Sequence, residues 1–194
     1  MLDGDELAGV VSQFGALSRP ELVRAAEELA FKRGEDVDPD RVGDAIDGAL
    51  ADLRLVAVQG GTTDAGPTGA GAADAGGDES GSESGGTGTG CDAALLVPGP
   101  TAFPRLPDGA EDLPHILDVE ARSVADGAAA EAAERRLRAA AATAVADGDR
   151  ERMAGLLDAT YDLESWASDA DVASVRERLD AALDSEGGEH GDGG

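Results

Sequence analysis

The chain has 194 residues, with 41 acidic and 15 basic side chains for a net charge of -26, and its 41% apolar content includes only 3% aromatic residues. Cys91 is the only cysteine, so an internal disulfide and a thiolate metal cluster are both excluded and a reducing compartment is implied. No run of about 18 apolar residues offers a membrane span, and the opening Met1-Leu2-Asp3-Gly4-Asp5-Glu6 has neither the basic nor the apolar segment of a secretory signal, so a cytoplasmic protein is expected.

Leu7, Val10, Val11 and Phe14 fall at i, i+3, i+4 and i+7, the apolar stripe of a helix that Gly15 closes. Ser18-Arg19-Pro20-Glu21 reads as a capping box, in which hydroxyl and carboxylate serve the free amides of the first turn. The second helix follows, with Leu22, Val23, Ala26, Leu29 and Ala30 inward and Gly34 as its stop. Asp38 can cap a third helix, with Pro39 at its first position and Val37 stapled onto Val42. This helix is expected to reach about Leu53 and to bury Val42, Ile46, Ala49, Leu50 and Leu53.

Arg54–Val58 and Ala93–Val97 are β-leaning runs that pair as a short hairpin. Between them, residues 59–90 consist almost wholly of Gly, Ala, Thr, Ser, Asp and Glu, and such a stretch cannot bury enough apolar area to offset its ordering entropy. It is read as a disordered insert in the hairpin. Pro98, Pro100, Pro104, Pro107 and Pro114 then forbid regular helix or central strand, so residues 91–122 supply the second strand and a Pro-rich strap across the helices. Phe103, Leu106, Leu113, Ile116 and Leu117 lie on that strap and need burial. Residues 123–184 form a C-terminal unit of three helices, over about Asp126–Ala146, Asp149–Thr160 and Asp171–Leu183, and residues 185–194 a frayed acidic tail. Val172, Val175, Leu179, Ala182 and Leu183 make the stripe of the last helix. With so few aromatics, the core is expected to be built from small side chains around Phe14, Phe31, Phe103, Tyr161 and Trp166.

The charge points to a particular solvent. Lys32 is the only lysine, every other base is arginine, and 26 uncompensated negative charges repel strongly unless salt screens them. At ~1 M ionic strength the screening length is about 3 Å. The composition therefore suits a halophilic cell with a salt-loaded cytoplasm. Leu95-Leu96-Val97-Pro98-Gly99-Pro100-Thr101-Ala102-Phe103-Pro104-Arg105-Leu106-Pro107, continuing to Leu117, together with Thr160–Trp166, resembles a family of uncharacterised proteins from halophilic archaea. That resemblance implies the compartment and no activity. Three helices followed by a hairpin, over residues 1–58 and the second strand, also resemble a winged helix, in which the third helix reads DNA.

The outer side of the third helix carries Asp40, Asp44, Asp47 and Gly48, with Arg41 as its main cation, and residues 1–58 hold six basic against thirteen acidic residues, a net of -7. Phosphate binding needs the opposite sign. Asp36, Asp38 and Asp40 imitate the start of a calcium loop, but Arg41 stands where the turn needs Gly and Asp47 where a bidentate Glu is needed, so helix capping accounts for them better. Gly86, Gly88 and Gly90 lie in low-complexity sequence with no Lys and no following helix, and read as linker rather than phosphate cradle. His115 and His190 are the only histidines; His115 reads as a packed structural residue and His190 falls in the tail. Arg135, Arg136, Arg138, Arg150 and Arg152 form the densest basic group, with Glu131, Glu134 and Glu151 within helical reach as salt-bridge partners. Trp166 reads as a core anchor between the last two helices.

The sequence thus predicts a mainly α protein with a winged-helix-like N-terminal half, a short β-hairpin and a C-terminal three-helix unit. No catalytic, cofactor-binding or metal-binding residue is assigned, and a non-enzyme is expected. The expected role is a non-catalytic protein-interaction or adaptor module whose partner is another protein. The alternative is a winged-helix DNA-binding transcriptional regulator, which the charge disfavours.

Overall fold

Asp3 starts the first helix: its carboxylate accepts from the amides of Asp5 and Glu6, while the Glu6 carboxylate takes the amide of Asp3. The computed structural model describes residues 2–59, 94–119 and 121–187. Helix α1 (Gly4–Phe14) ends at Gly15, whose φ of 77° suits glycine alone. Strand β1 (Leu17–Ser18) leads directly into α2 (Arg19–Arg33), where the Glu21 carboxylate accepts from both the amide and the hydroxyl of Ser18 at 2.7 Å. Gly34 ends α2 in the left-handed conformation. Asp38 caps α3 (Pro39–Ala51) through the amide of Asp40, and Pro39 occupies the first turn as expected.

Helix α3 stops two residues short of the predicted end. Leu53 adopts a φ of 60°, the only non-glycine among the described residues with positive φ, and the amide of Arg54 bonds back to the Ala49 carbonyl at 2.9 Å. This is the usual hydrogen-bond pattern of a left-handed helix stop, made with leucine in the place of glycine at a cost of roughly 1–2 kcal/mol. The Leu53 side chain is nonetheless buried.

Strands β2 (Leu55–Val58) and β3 (Leu95–Pro98) form the predicted antiparallel hairpin, with Val56 opposite Val97 and Val58 opposite Leu95. β1 adds a third, antiparallel strand on the far side of β3, giving the order β1-β3-β2. β1 has no sequence signal of its own, because its two residues double as the entry to the capping box. The expected insert at residues 59–90, with Gly86, Gly88 and Gly90, lies outside the described residues except for its first position, as do His190 and Cys91.

Successive side chains of the sheet point to opposite faces, and both faces are buried. Leu17, Leu55 and Leu96 pack with Leu7, Val11, Phe14, Leu22, Leu29 and Ile46 of α1–α3. Val56, Val58, Leu95 and Val97 pack with Ala133, Leu137, Met153, Leu156, Leu163 and Leu179 on the other side. Those residues come from α5 (Asp126–Asp147), α6 (Arg150–Trp166) and α7 (Ala173–Gly187). The fold is therefore three layers, with the sheet between two helical units. Helix α6 runs six residues beyond its expected end, since Leu163 continues the buried stripe, and α7 extends through residues 185–187 that were assigned to the tail.

The Pro-rich segment does cross the helices. The Arg105 amide donates to the Asp5 carbonyl, and Gly9 lies so close beneath that a Cβ there would sit 1.9 Å from the Arg105 carbonyl oxygen. Lys32 pairs with Asp112 at 3.0 Å, and Arg33 donates to the Asp108 carbonyl. Contrary to the expectation of no helix here, a 3-10 turn at Ala110–Asp112 leads into the four-residue α4 (Leu113–Ile116); Pro114 is tolerated because it falls in the first turn, where its missing N–H has no partner to lose. Leu113 and Leu117 are buried as predicted.

Glu21 also fastens the segment before α5. Arg122 grips both its carboxylate oxygens at 2.7 Å, and the Arg122 amide bonds to the Phe14 carbonyl. Burial opposes ionisation of Glu21, but the bonds from Arg122 and Ser18 outweigh it and hold the carboxyl below its usual range. Glu21→Gln is expected to cost about 2 kcal/mol at neutral pH, as for a partly buried charged hydrogen bond. A depressed folded-state pKa contributes stability above the ordinary glutamate range that is lost as pH falls through the folded value. Denaturation curves of the two proteins should therefore converge on acidification; a gap that ignores pH would mean that packing, not charge, fixes this contact.

Candidate functional site

Burial of valine, leucine and alanine in both helical layers leaves the large rings in an unexpected place. Of the five aromatic residues only Phe14 is buried, whereas Phe31 is 79% exposed, Phe103 76%, Tyr161 54% and Trp166 40%. The expectation that these rings build the core is corrected for four of the five. The reasons differ by element: Phe31 takes an outward position of α2 and Phe103 an outward position of the strap, while around Tyr161 and Trp166 the α5–α7 layer closes through small side chains, Ala129, Ala132, Ala133, Ala141, Ala144 and Ala159. Trp166 ends α6 and lines an open groove of about 470 Å³ with Gly127, Ala129, Ala130 and Ala167, so it does not anchor the last two helices inside the core. That junction is held instead by Arg176, which donates to the buried Thr160 hydroxyl at 3.1 Å, pairs with Glu164 at 2.6 Å and lies over the Tyr161 ring.

Phe103 and Leu106 stand on the strap, and Ile116 on α4; all three were expected to be buried and all are exposed. The strap's proline spacing keeps it extended, and its ties to α1 run through the backbone and Arg105, which pairs with Asp3. The amide of Phe103 donates to the Asp5 carboxylate at 3.2 Å, so the backbone is fixed while the ring projects outward. Phe31 stands on α2 beside Lys32, which pins the same strap.

The outer face of α3 is as the sequence predicts. Asp40, Arg41, Asp44, Asp47 and Gly48 are all exposed. Arg19 grips both oxygens of Asp47 at 2.6 and 2.8 Å and reaches the Gly43 carbonyl. The Arg19 hydrogen bond holds the Asp47 carboxyl below its ordinary range and raises Arg19 above its own. Both groups are largely in water, so the pair orders the surface more than it stabilises the fold.

Asp38 is a helix cap, and no three His, Cys, Asp or Glu side chains among the described residues are grouped to hold a metal ion. His115 is exposed on α4 rather than packed, because Leu113 and Leu117 take the inward positions of that turn. The apolar cavity between α1, α2 and α3, lined by Leu7, Leu29, Val37 and Val42, measures about 20 Å³, room for a single water. No helix among the described residues is long and apolar enough to cross a membrane.

The basic group divides into two kinds of contact. Arg135 and Arg138 make the expected pairs with Glu131 and Glu134. Arg136, Arg150 and Arg152 instead donate to backbone carbonyls, those of Leu50 and Ala51 at the end of α3 and that of Leu183 in α7. Arg152 also pairs with Asp52 at 3.0 Å. These contacts carry no sequence signature, since a backbone carbonyl looks the same at every residue.

If Phe103 is a surface group, Phe103→Ser should shift unfolding free energy by no more than about 0.5 kcal/mol, whereas Phe14→Ala should cost about 3–5 kcal/mol. Parallel urea titrations at one salt concentration compare the two; a large loss for Phe103→Ser would place the ring in the core.

No curated protein and no solved structure is significantly similar to this sequence. The model of one family matches residues 5–184, all three layers of the fold, and the chain accordingly belongs to a family of unknown function (DUF7109).

Proposed function

We propose that the protein is a non-catalytic protein-interaction or adaptor module of a halophilic cell, working in a salt-rich cytoplasm. The observation that carries this reading is the exposure of four of the five aromatic side chains, above all Phe31 and Phe103. Aromatic residues are concentrated in protein interfaces, where a large, stiff side chain contributes contact area at small entropic cost. A strap whose backbone is already fixed to α1 loses little further freedom on docking. The net charge of -26 supports the salt-rich setting, because apolar contacts survive at salt concentrations that screen charge.

The alternative, a winged-helix DNA-binding regulator, draws support from the order helix, strand, helix, helix, hairpin with β1 beside β3. In that arrangement α3 would be the reader. Its exposed Asp40, Asp44 and Asp47 repel phosphates at low salt, and high salt removes the counterion-release gain that supplies much of DNA affinity.

Two measurements at molar potassium chloride separate the readings. Affinity capture with the wild type should retain a defined protein that Phe31→Ser/Phe103→Ser loses while its circular dichroism is unchanged; retention by the folded double variant would refute the aromatic docking surface. An equilibrium titration against pooled genomic DNA at several salt concentrations should show weak, unselective binding. Tight, sequence-selective binding abolished by Arg41→Ala would establish the regulator instead.

A further inference from the structure

Elements from every layer meet at the turn between α3 and β2. Arg136 of α5 donates its Nε to the Leu50 carbonyl at 2.5 Å. Arg152 of α6 donates to the Ala51 carbonyl and pairs with Asp52. From the strap, the Thr101 hydroxyl donates to the Asp52 carbonyl at 2.6 Å. Gly99 lies against the Leu53 carbonyl so tightly that a Cβ would stand 2.1 Å from its oxygen.

Helices α2 and α5 end in the same hydrogen-bond pattern, but with Gly34 and Gly148 in the left-handed position. At the end of α3 that position holds Leu53, 1% exposed, whose side chain packs into the core on the α5–α7 side of the sheet although its backbone belongs to α3. A glycine would satisfy the backbone without strain, but it would have nothing to insert.

We infer that this turn is a latch: the C-terminal helical unit holds the end of α3 in a conformation its own backbone disfavours. The device has two coupled parts, the buried leucine and the arginine-capped carbonyls, and each is complete only while α5 and α6 are docked. Loosening α5–α6 therefore releases the last turn of α3, and loosening that turn weakens the docking of α5–α6. The outward face of α3 is in this way tied to the state of the layer on the far side of the sheet. The inference does not depend on which partner, protein or DNA, that face meets.

Hydrogen–deuterium exchange on the full chain at molar potassium chloride tests the latch, with Leu53→Ala, Leu53→Gly and Arg152→Ala beside the wild type. Leu53→Ala keeps the strained backbone and loses the insert, so exchange should accelerate roughly 5- to 30-fold both in residues 46–52 and in 133–156, and by more than in 7–14 and 22–30. Leu53→Gly should be loosened in the same two segments but less than Leu53→Ala, because its backbone strain is relieved. Arg152→Ala, a substitution at a partly exposed residue, should give the same paired pattern at smaller size, and it stands as the test if Leu53→Ala does not fold. Acceleration confined to the turn, or Leu53→Gly as protected as the wild type, would overturn the inference.

Discussion

The hairpin β2–β3 is the constraint on which the rest depends, because it is apolar on both faces and neither can meet water. Leu55 and Leu96 demand one helical layer, and Val56, Val58, Leu95 and Val97 demand another. A sheet of three short strands would be marginal alone. Covered on both sides, it becomes the shared interior of two helical units, and each unit is completed by the other. Shifting one strand by a single residue would send every side chain into the opposite core, so the register Val56–Val97 and Val58–Leu95 is fixed by both layers at once.

Around that centre the fold uses its scarce cations as fasteners. Lys32, Arg54, Arg105 and Arg122 join strap and helices to carboxylates, while Arg136, Arg150 and Arg152 reach backbone carbonyls. In a chain with 41 acidic residues, cations committed to internal contacts are poorly placed to gather phosphates. In the densest arginine group, Arg135 and Arg138 face glutamates one turn away, Arg136 and Arg150 face backbone carbonyls, and Arg152 faces both a carbonyl and Asp52. What remains on the surface is mainly carboxylate, with arginines such as Arg24, Arg41 and Arg178 among it and a few large apolar side chains.

Much of the architecture was legible in the sequence because local signals agreed with tertiary need. Ser18, Glu21, Asp38 and Pro39 start helices through the atoms their motifs imply, and the proline spacing gives an extended strap. The acidic outer face of α3 was legible too, since helical periodicity alone separates Val42 and Ile46 from Asp40 and Asp44. The three-layer arrangement does have a sequence signal: Leu55-Val56-Ala57-Val58 and Leu95-Leu96-Val97 are unbroken apolar runs, the pattern of strands covered on both faces rather than alternating strands of a half-exposed wing. Leu53 was misplaced because a left-handed helix stop ordinarily announces itself by glycine. The exposed rings have no separate signal because hydrophobicity does not say which side of an element a residue takes: Phe31 falls on the outward side of α2, Phe103 on the outward side of the strap, and Tyr161 and Trp166 flank a layer closed by alanine.

The central claim is that both helical layers and the sheet form one cooperative unit. Equilibrium urea unfolding at fixed molar potassium chloride tests it directly, with far-ultraviolet circular dichroism reporting all helices and Trp166 fluorescence reporting the C-terminal layer alone. The account predicts coincident transitions with one midpoint and one slope. A fluorescence transition separated from the dichroism change, with a plateau between them, would contradict it and show that the C-terminal helices unfold on their own.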